Sequence, residues 1–241
     1  MNRIGYSTGA IALGDFAKAI TLLAEHNFQA IELSALRIEE VEPLIESLPR
    51  LDLGNYTYIS FHAPSAFGEH EEEYLVKLLS QLPDSWPIVL HPDAIHRFDR
   101  WTAIAGRLAI ENMDQRKNTG RSVRELQEIF KHLPNSRMCL DLGHARQIDS
   151  SMIEAYLLLK IFSSRIVQLH MSEVDTQSRH AVISRAAEMA FAQVSRFIPS
   201  SAAVILESRV NEREIDNEAE KVQAMLSLAR VEWGPASLAT H

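Results

Sequence analysis

Eight short apolar runs punctuate the chain: RIGYS, QAIEL, YISFH, PIVLH, RLAIE, RMCLD, RIVQLH and AVILE, the first starting at Arg3 and the last ending at Glu207. Each is apolar at successive positions rather than at alternate ones. A parallel strand covered on both faces reads this way, because neither face meets water. Between the runs the period changes to that of a helix. Asp15 precedes Phe16, Ala19, Ile20 and Leu23, which share one helical face, and its carboxylate can cap the free amides of that helix. Ser122 with Glu125, Ser151 with Glu154, and Asn211 with Glu214 each set a polar cap three residues ahead of a Glu able to reach back to it. A last helix carries Ile215, Ala219, Val222, Leu226 and Ala229 on one face. The weakest helical pattern is the fourth, within DAIHRFDRWTAIAG. Eight strand–helix alternations predict an α/β fold, a single (β/α)8 barrel spanning residues 1–233 as one domain, with a frayed tail at 234–241.

Composition narrows the picture. With 46% hydrophobic and 23% charged residues in 241, the chain is ordinary globular material with enough apolar mass for a large core. No run approaches the roughly 18 apolar residues of a membrane helix, and MNRIGYST has no apolar leader segment, so the reading is a cytoplasmic protein without membrane contact. The single cysteine, Cys139, lies inside an apolar run, which excludes an internal disulfide and a cysteine-based zinc site and leaves it a packing role. A net charge of −8 disfavours a long-range pull on nucleic acid while leaving a local basic groove open. A homo-oligomer stays open.

The chemistry sits at the ends of the runs. The third to the eighth end in His62, His91, Glu111, Asp141, His170 and Glu207. In a (β/α)8 barrel these ends converge on one face, where active sites are built. Each follows directly on apolar residues, where an unpaired charge costs several kcal/mol. Three imidazoles and three carboxylates without a thiolate suit a divalent transition metal: zinc or manganese ahead of cobalt or iron. A bound cation would also relieve the repulsion among the carboxylates.

The motifs FHAP (61–64), LHPD (90–93), IENMD (110–114), DLGHA (141–145), LHMSE (169–173) and LES (206–208) resemble those of the xylose isomerase-like TIM barrels. That superfamily includes endonuclease IV, tagatose-type ketose epimerases and proteins described as sugar phosphate isomerases or epimerases. The resemblance runs from Ile4 to about Leu228 and is far more specific for fold and metal site than for reaction. It implies that Glu111, Asp141, His170 and Glu207 hold a central metal, and that His62 and His91 bind a second with Glu111 as bridge. His144 matches a position that takes either a third metal, with His180, or a substrate hydroxyl. Endonucleases carry an Asp two residues before that second histidine; here the place is held by Ser178, a departure that weakens a third metal. One to three metals per chain follow.

Two mechanisms fit. In the first, the metal chelates the carbonyl and a hydroxyl of a sugar or sugar phosphate, easing formation of an enediolate, and Glu111 and Glu207 exchange the proton as an isomerase or epimerase requires. His144, Arg179, Arg209 and Glu32 would bind substrate, with Arg209 and the helix beginning at Asn211 meeting any phosphate. Glu32 serves equally well as a hydrogen-bond partner of a ligand, and an exposed arginine is usually a solvated surface group. In the second, metals bridged by Glu111 hydrolyse a phosphodiester in the manner of endonuclease IV; His62 and His91 favour it, while the acidic balance and Ser178 oppose it. A non-catalytic sugar-binding barrel is the third class.

Overall fold

In a computed structural model, which describes residues 2–231, all eight predicted strands are present and close into one parallel barrel. The elements run β1 (Ile4–Ser7), α1 (Thr8–Ala12), α2 (Phe16–Leu23), β2 (Ala30–Ser34), α3 (Ile38–Ser47), β3 (Tyr58–His62), α4 (Glu72–Leu79), β4 (Ile88–Leu90), β5 (Leu108–Glu111), α5 (Val123–His132), β6 (Arg137–Asp141), α6 (Leu142–Ile148), α7 (Ile153–Ile161) and β7 (Ile166–Met171). A small antiparallel hairpin, β8 (Glu173–Val174) with β9 (His180–Ala181), follows β7, and then α8 (Arg185–Ser195), β10 (Ala203–Leu206) and α9 (Ile215–Val231). The barrel closes where β10 pairs with β1.

Strand periodicity decides what enters the barrel, because successive side chains point to opposite faces. Ala203 and Ile205, packed with Ala30 and Tyr58, form one small apolar cluster; Val89, Ala109 and Cys139 form a second. Two residues further along the same strands stand Glu207, Glu32, His91, Glu111 and Asp141. Register keeps these ends level: Asp141 lies opposite His170 and Ser34 opposite His62. The barrel therefore has an apolar bottom and an ionisable top.

The helical expectations hold with three corrections. Asp15 accepts from the Lys18 amide at 3.0 Å, and Asn211 with Glu214 forms the complete reciprocal cap before α9. Ser122 caps α5 at 3.3 Å, but Glu125 reaches the Arg121 amide instead of that of Ser122. Ser151 does not cap α7: Asp149 takes the Ser151 and Glu154 amides, Met152 enters the helix at φ 63°, and Glu154 accepts from the Val123 amide at 2.6 Å, tying α7 to α5. The fourth helical segment is a 3-10 helix, Phe98–Arg107. Its inward residues Phe98, Trp101 and Ile104 recur every third position, the spacing at which 3-10 side chains eclipse, and burying Trp101 holds that winding. On α9, Ile215, Ala219, Val222 and Leu226 are buried; the side chain of Ala229 and the tail at 234–241 lie outside the described residues.

Gly143 is required for a different reason than a turn. It lies inside α6, where a Cβ would come within 2.6 Å of both the Ser172 carbonyl and Val174. The glycine lets the first turn of α6 press against the chain leaving β7, which fixes His144 over the barrel.

Candidate metal centre

The six strand-end residues meet at the top of the barrel. One ligand atom each from Glu111, Asp141, His170 and Glu207 falls within 4.8 Å of the others, as do sets from His62, Glu111 and His170 and from Glu32, His62 and Glu207. Four distances within the group are short. His170 Nδ1 is 3.2 Å from Glu111 Oε1 and 3.4 Å from Glu207 Oε2, while Glu111 Oε2 is 3.3 Å from His62 Nε2 and 3.1 Å from His91 Nε2.

Asp141, His62 and His170 are held from behind. Asn112 clasps the Asp141 backbone, donating to its carbonyl and accepting from its amide, both at 2.8 Å. Asp141 then divides its oxygens: Oδ1 accepts from the His144 amide and caps α6, and Oδ2 is buried with no hydrogen-bond partner. Ring nitrogens are fixed in the same way. His62 Nδ1 lies 2.8 Å from the Ala63 carbonyl and His144 Nδ1 2.9 Å from that of Asn112, contacts that require Nδ1–H donors and turn each Nε2 away from those carbonyls. For His170 the partner is a carboxylate, with Nε2 3.0 Å from Glu32 Oε2, leaving Nδ1 for the cluster. Gln168 donates to the same Glu32 oxygen at 2.6 Å and accepts from the Tyr58 hydroxyl at 2.9 Å. Histidine ligands of metals are commonly oriented by such a carboxylate.

Electrostatics tie the set together. Burial would push the Glu111 carboxyl up, but His170, His91 and His62 around it hold it well below the usual carboxylate range. Burial opposes the charged form of His62 too, yet the Glu111 and Glu32 carboxylates raise it to about 9. His170 is raised well above its ordinary value by its acidic neighbours, whereas burial keeps His91 lowered. Cys139 is driven up by burial, as suits a packing residue.

Oxygens of Glu32, Glu111, Asp141 and Glu207 and the Nδ1 of His91 are buried without hydrogen-bond partners. Buried polar atoms are ordinarily satisfied, and three of these carboxylates, Glu111, Asp141 and Glu207, belong to the four-residue group, which fits a bound cation. Their donor chemistry, oxygen and imidazole nitrogen without sulfur, fits a divalent metal of intermediate softness.

Above the cluster opens a cavity of about 600 Å³ lined by His62, His91, His144, His180 and Glu207. Glu111 lies beneath it with 1% of its side chain exposed, while Glu207 faces it at 13%. Arg179 and Arg209 line the mouth, as do Arg116 and Lys117. Arg179 is paired with Asp175, Arg116 with Asp114 and Lys117 with Asp93. Glu32 is fully buried under the cavity rather than on its wall. Of the two roles open to it, this placement favours orienting His170.

The His144 and His180 rings approach to 5.5 Å, but neither belongs to a metal-sized group among the described residues. His180 Nδ1 faces Ser172 Oγ at 2.7 Å, and Ser178, at φ 55°, gives its hydroxyl to Asp114. Asp175 is engaged by Arg179 and does not replace the missing acid. Gln168, Tyr58 and Ser172 escape a reading based on strand ends. Gln168 had a signal, an amide in the middle of the apolar run RIVQLH; Tyr58 had none.

No family model and no curated protein matches the chain in sequence. Solved structures do match. An L-ribulose 3-epimerase superposes with a TM-score of 0.63 at 13% identity, over 100% of both chains. Endonuclease IV from Thermus thermophilus gives 0.57 at 19%, covering 94% of this chain and 99% of its own. A xylose isomerase domain protein from Alicyclobacillus acidocaldarius gives 0.62 at 10%, over 95% and 100%. These structures share the closed (β/α)8 barrel fold with this chain. No helix among the described residues is long and apolar enough to cross a membrane.

Proposed function

We propose that the chain is a divalent-metal-dependent enzyme that isomerises or epimerises a sugar or sugar phosphate, with Glu111, Asp141, His170 and Glu207 as the metal ligands. The observation that carries this is the single group of four ligand atoms with orphaned oxygens on the cavity floor. A bound zinc or manganese ion supplies Lewis acidity there, polarising a carbonyl and its neighbouring hydroxyl. Glu207, at the cavity wall, takes the proton from the hydroxyl-bearing carbon next to the carbonyl, and Glu111, buried below the cavity, is the proposed donor that returns it on the other side. Asn112 and Glu32 hold Asp141 and His170 so that these ligands keep their places. His144, its Nδ1 fixed by Asn112, offers Nε2 to a substrate hydroxyl. Arg179 and Arg209 receive the outer hydroxyls or a phosphate.

A second reading, phosphoester hydrolysis with two metals, is favoured by His62 and His91, whose Nε2 atoms both approach Glu111 Oε2. Against it, His91 joins none of the metal-sized groups of the described residues, and the position two residues before His180 that would complete a third site is occupied by Ser178 bonded to Asp114. Anomalous scattering from crystals grown with manganese separates the two. One metal at the four-residue group, with turnover of ketoses or their phosphates, supports the sugar enzyme; two or more metals with cleavage of an abasic-site duplex supports hydrolysis and overturns it.

A further inference from the structure

The mouth of the cavity has one side that folding does not account for. Leu13 follows α1 in the left-handed region, at φ 47° and ψ 54°, and is 61% exposed. A bulky residue is disfavoured in that conformation, and glycine is the residue that ends a helix there without strain. Exposure also denies this leucine the burial that would offset the cost. Leu36, on the loop after β2, is 40% exposed, with its amide fixed by Glu40 at 2.8 Å and its side chain lying against Gly9. Of the large apolar side chains left exposed among the described residues, only these two line the cavity. With Gly9 and Ala10 they form an apolar wall, facing a mouth whose other loops bring Arg116, Lys117, Arg179 and Arg209. The cavity of about 600 Å³ is roomier than one sugar ring fills and lies within the range for small-molecule sites.

We infer that Leu13 and Leu36 form an apolar subsite that takes a nonpolar substituent of the substrate, an alkyl or aryl group carried by a sugar whose hydroxyls reach the metal centre. This rests on the sugar reading above. The wall is continuous with the cavity holding Glu207 and His144, so its occupant is part of the same molecule, and apolar contact outside the polyol is the one chemistry the wall offers. A strained, exposed leucine gains a partner only when such a group binds.

The test titrates the manganese-loaded protein calorimetrically with two ethers of one ketose, a methyl and a phenyl ether at its terminal hydroxyl, which keep the carbonyl and the neighbouring hydroxyl. In the native protein the phenyl member binds about tenfold tighter than the methyl, equivalent to roughly 55 Å² of newly buried apolar surface. In L13G that preference falls to about twofold or less while the melting temperature stays level or rises, since glycine relieves the left-handed strain. L36S loses the preference in the same direction. Equal affinity for the two ethers in the native protein, absence of binding by both included, overturns the subsite. So does an L13G protein that keeps the preference, melts lower or fails to fold. Manganese stoichiometry and turnover of unsubstituted ketoses on the same sample keep the two claims apart. Metal uptake and turnover without a phenyl preference sink only the subsite, whereas no metal uptake sinks the sugar site itself.

Discussion

Replacing Glu111 with glutamine tests the centre at the atom on which most of it converges. Its two oxygens lie within 3.4 Å of nitrogens from His62, His91, His144 and His170, and the side chain is 1% exposed. In the native protein, metal at about a hundred times its dissociation constant adds about 2.7 kcal/mol to stability. For a domain of this size that is a rise of roughly 5–11 °C in melting temperature. The E111Q amide offers one neutral oxygen where the carboxylate offers two charged ones, and the loss of a direct ligand weakens binding by at least about a hundredfold, the upper end for groups that merely support ligands. The same metal concentration then adds only about 0.4 kcal/mol, a shift of roughly 1 °C. The metal-free variant is also destabilised, because the charged imidazoles lose their counter-charge in a buried setting. Differential scanning calorimetry of both proteins, stripped with EDTA and then titrated with manganese or zinc, reads both effects. A full metal-induced rise in E111Q would refute the assignment of Glu111 to the cation.

Further outcomes follow from particular contacts. Q168L removes the amide between Tyr58, Glu32 and His170 without touching the ligand group, and should weaken metal binding roughly 10–100-fold in a competition titration with a chelating dye. Glu72 is fully buried and accepts from Trp101 Nε1, the His96 and Arg97 amides and Arg100, so E72Q should cost about 3 kcal/mol and roughly 6–12 °C in melting temperature. Burial would raise its carboxyl, but Trp101 and these amides hold it lower than usual, so its stabilisation is complete above the unfolded value near 4.3 and fades as pH falls through the native one. Acid-unfolding curves should therefore be steeper below about pH 4 for the native protein than for E72Q. G143A forces a methyl group to within 2.6 Å of the Ser172 carbonyl, and should lower both stability and metal affinity by displacing α6 and with it the Asp141 carboxylate that caps it; unchanged affinity would show that α6 does not position the site.

The eight strands and their order were legible in sequence because parallel strands buried on both faces leave unbroken apolar runs, although AYLLL at 155–159 is as apolar and lies in α7. The candidate ligands were legible for a related reason: an ionisable residue ending an apolar run, six times over, is costly unless the ends converge. Capping is readable where both partners are local, as at Asn211 and Glu214, and misleading at Ser151, where Asp149 competes for the same amides. The fourth helical pattern is weak because the burial of Trp101, a long-range demand, selects the 3-10 winding.

What only the tertiary structure decided is who stands behind and in front of the ligands. Glu32 reaches His170 across 138 positions of sequence and Tyr58 reaches Gln168 across 110, and no local pattern encodes a hydrogen bond between strands so far apart in the chain. Glu111 and Glu207 look alike as strand ends, yet one is sealed beneath the cavity and the other faces it. Leu13 reads as an ordinary helix residue until its backbone angle and exposure set it on the cavity wall. Sequence periodicity fixes which way a side chain faces along its own strand; barrel closure, with its stagger between strands, fixes which other side chains it meets there.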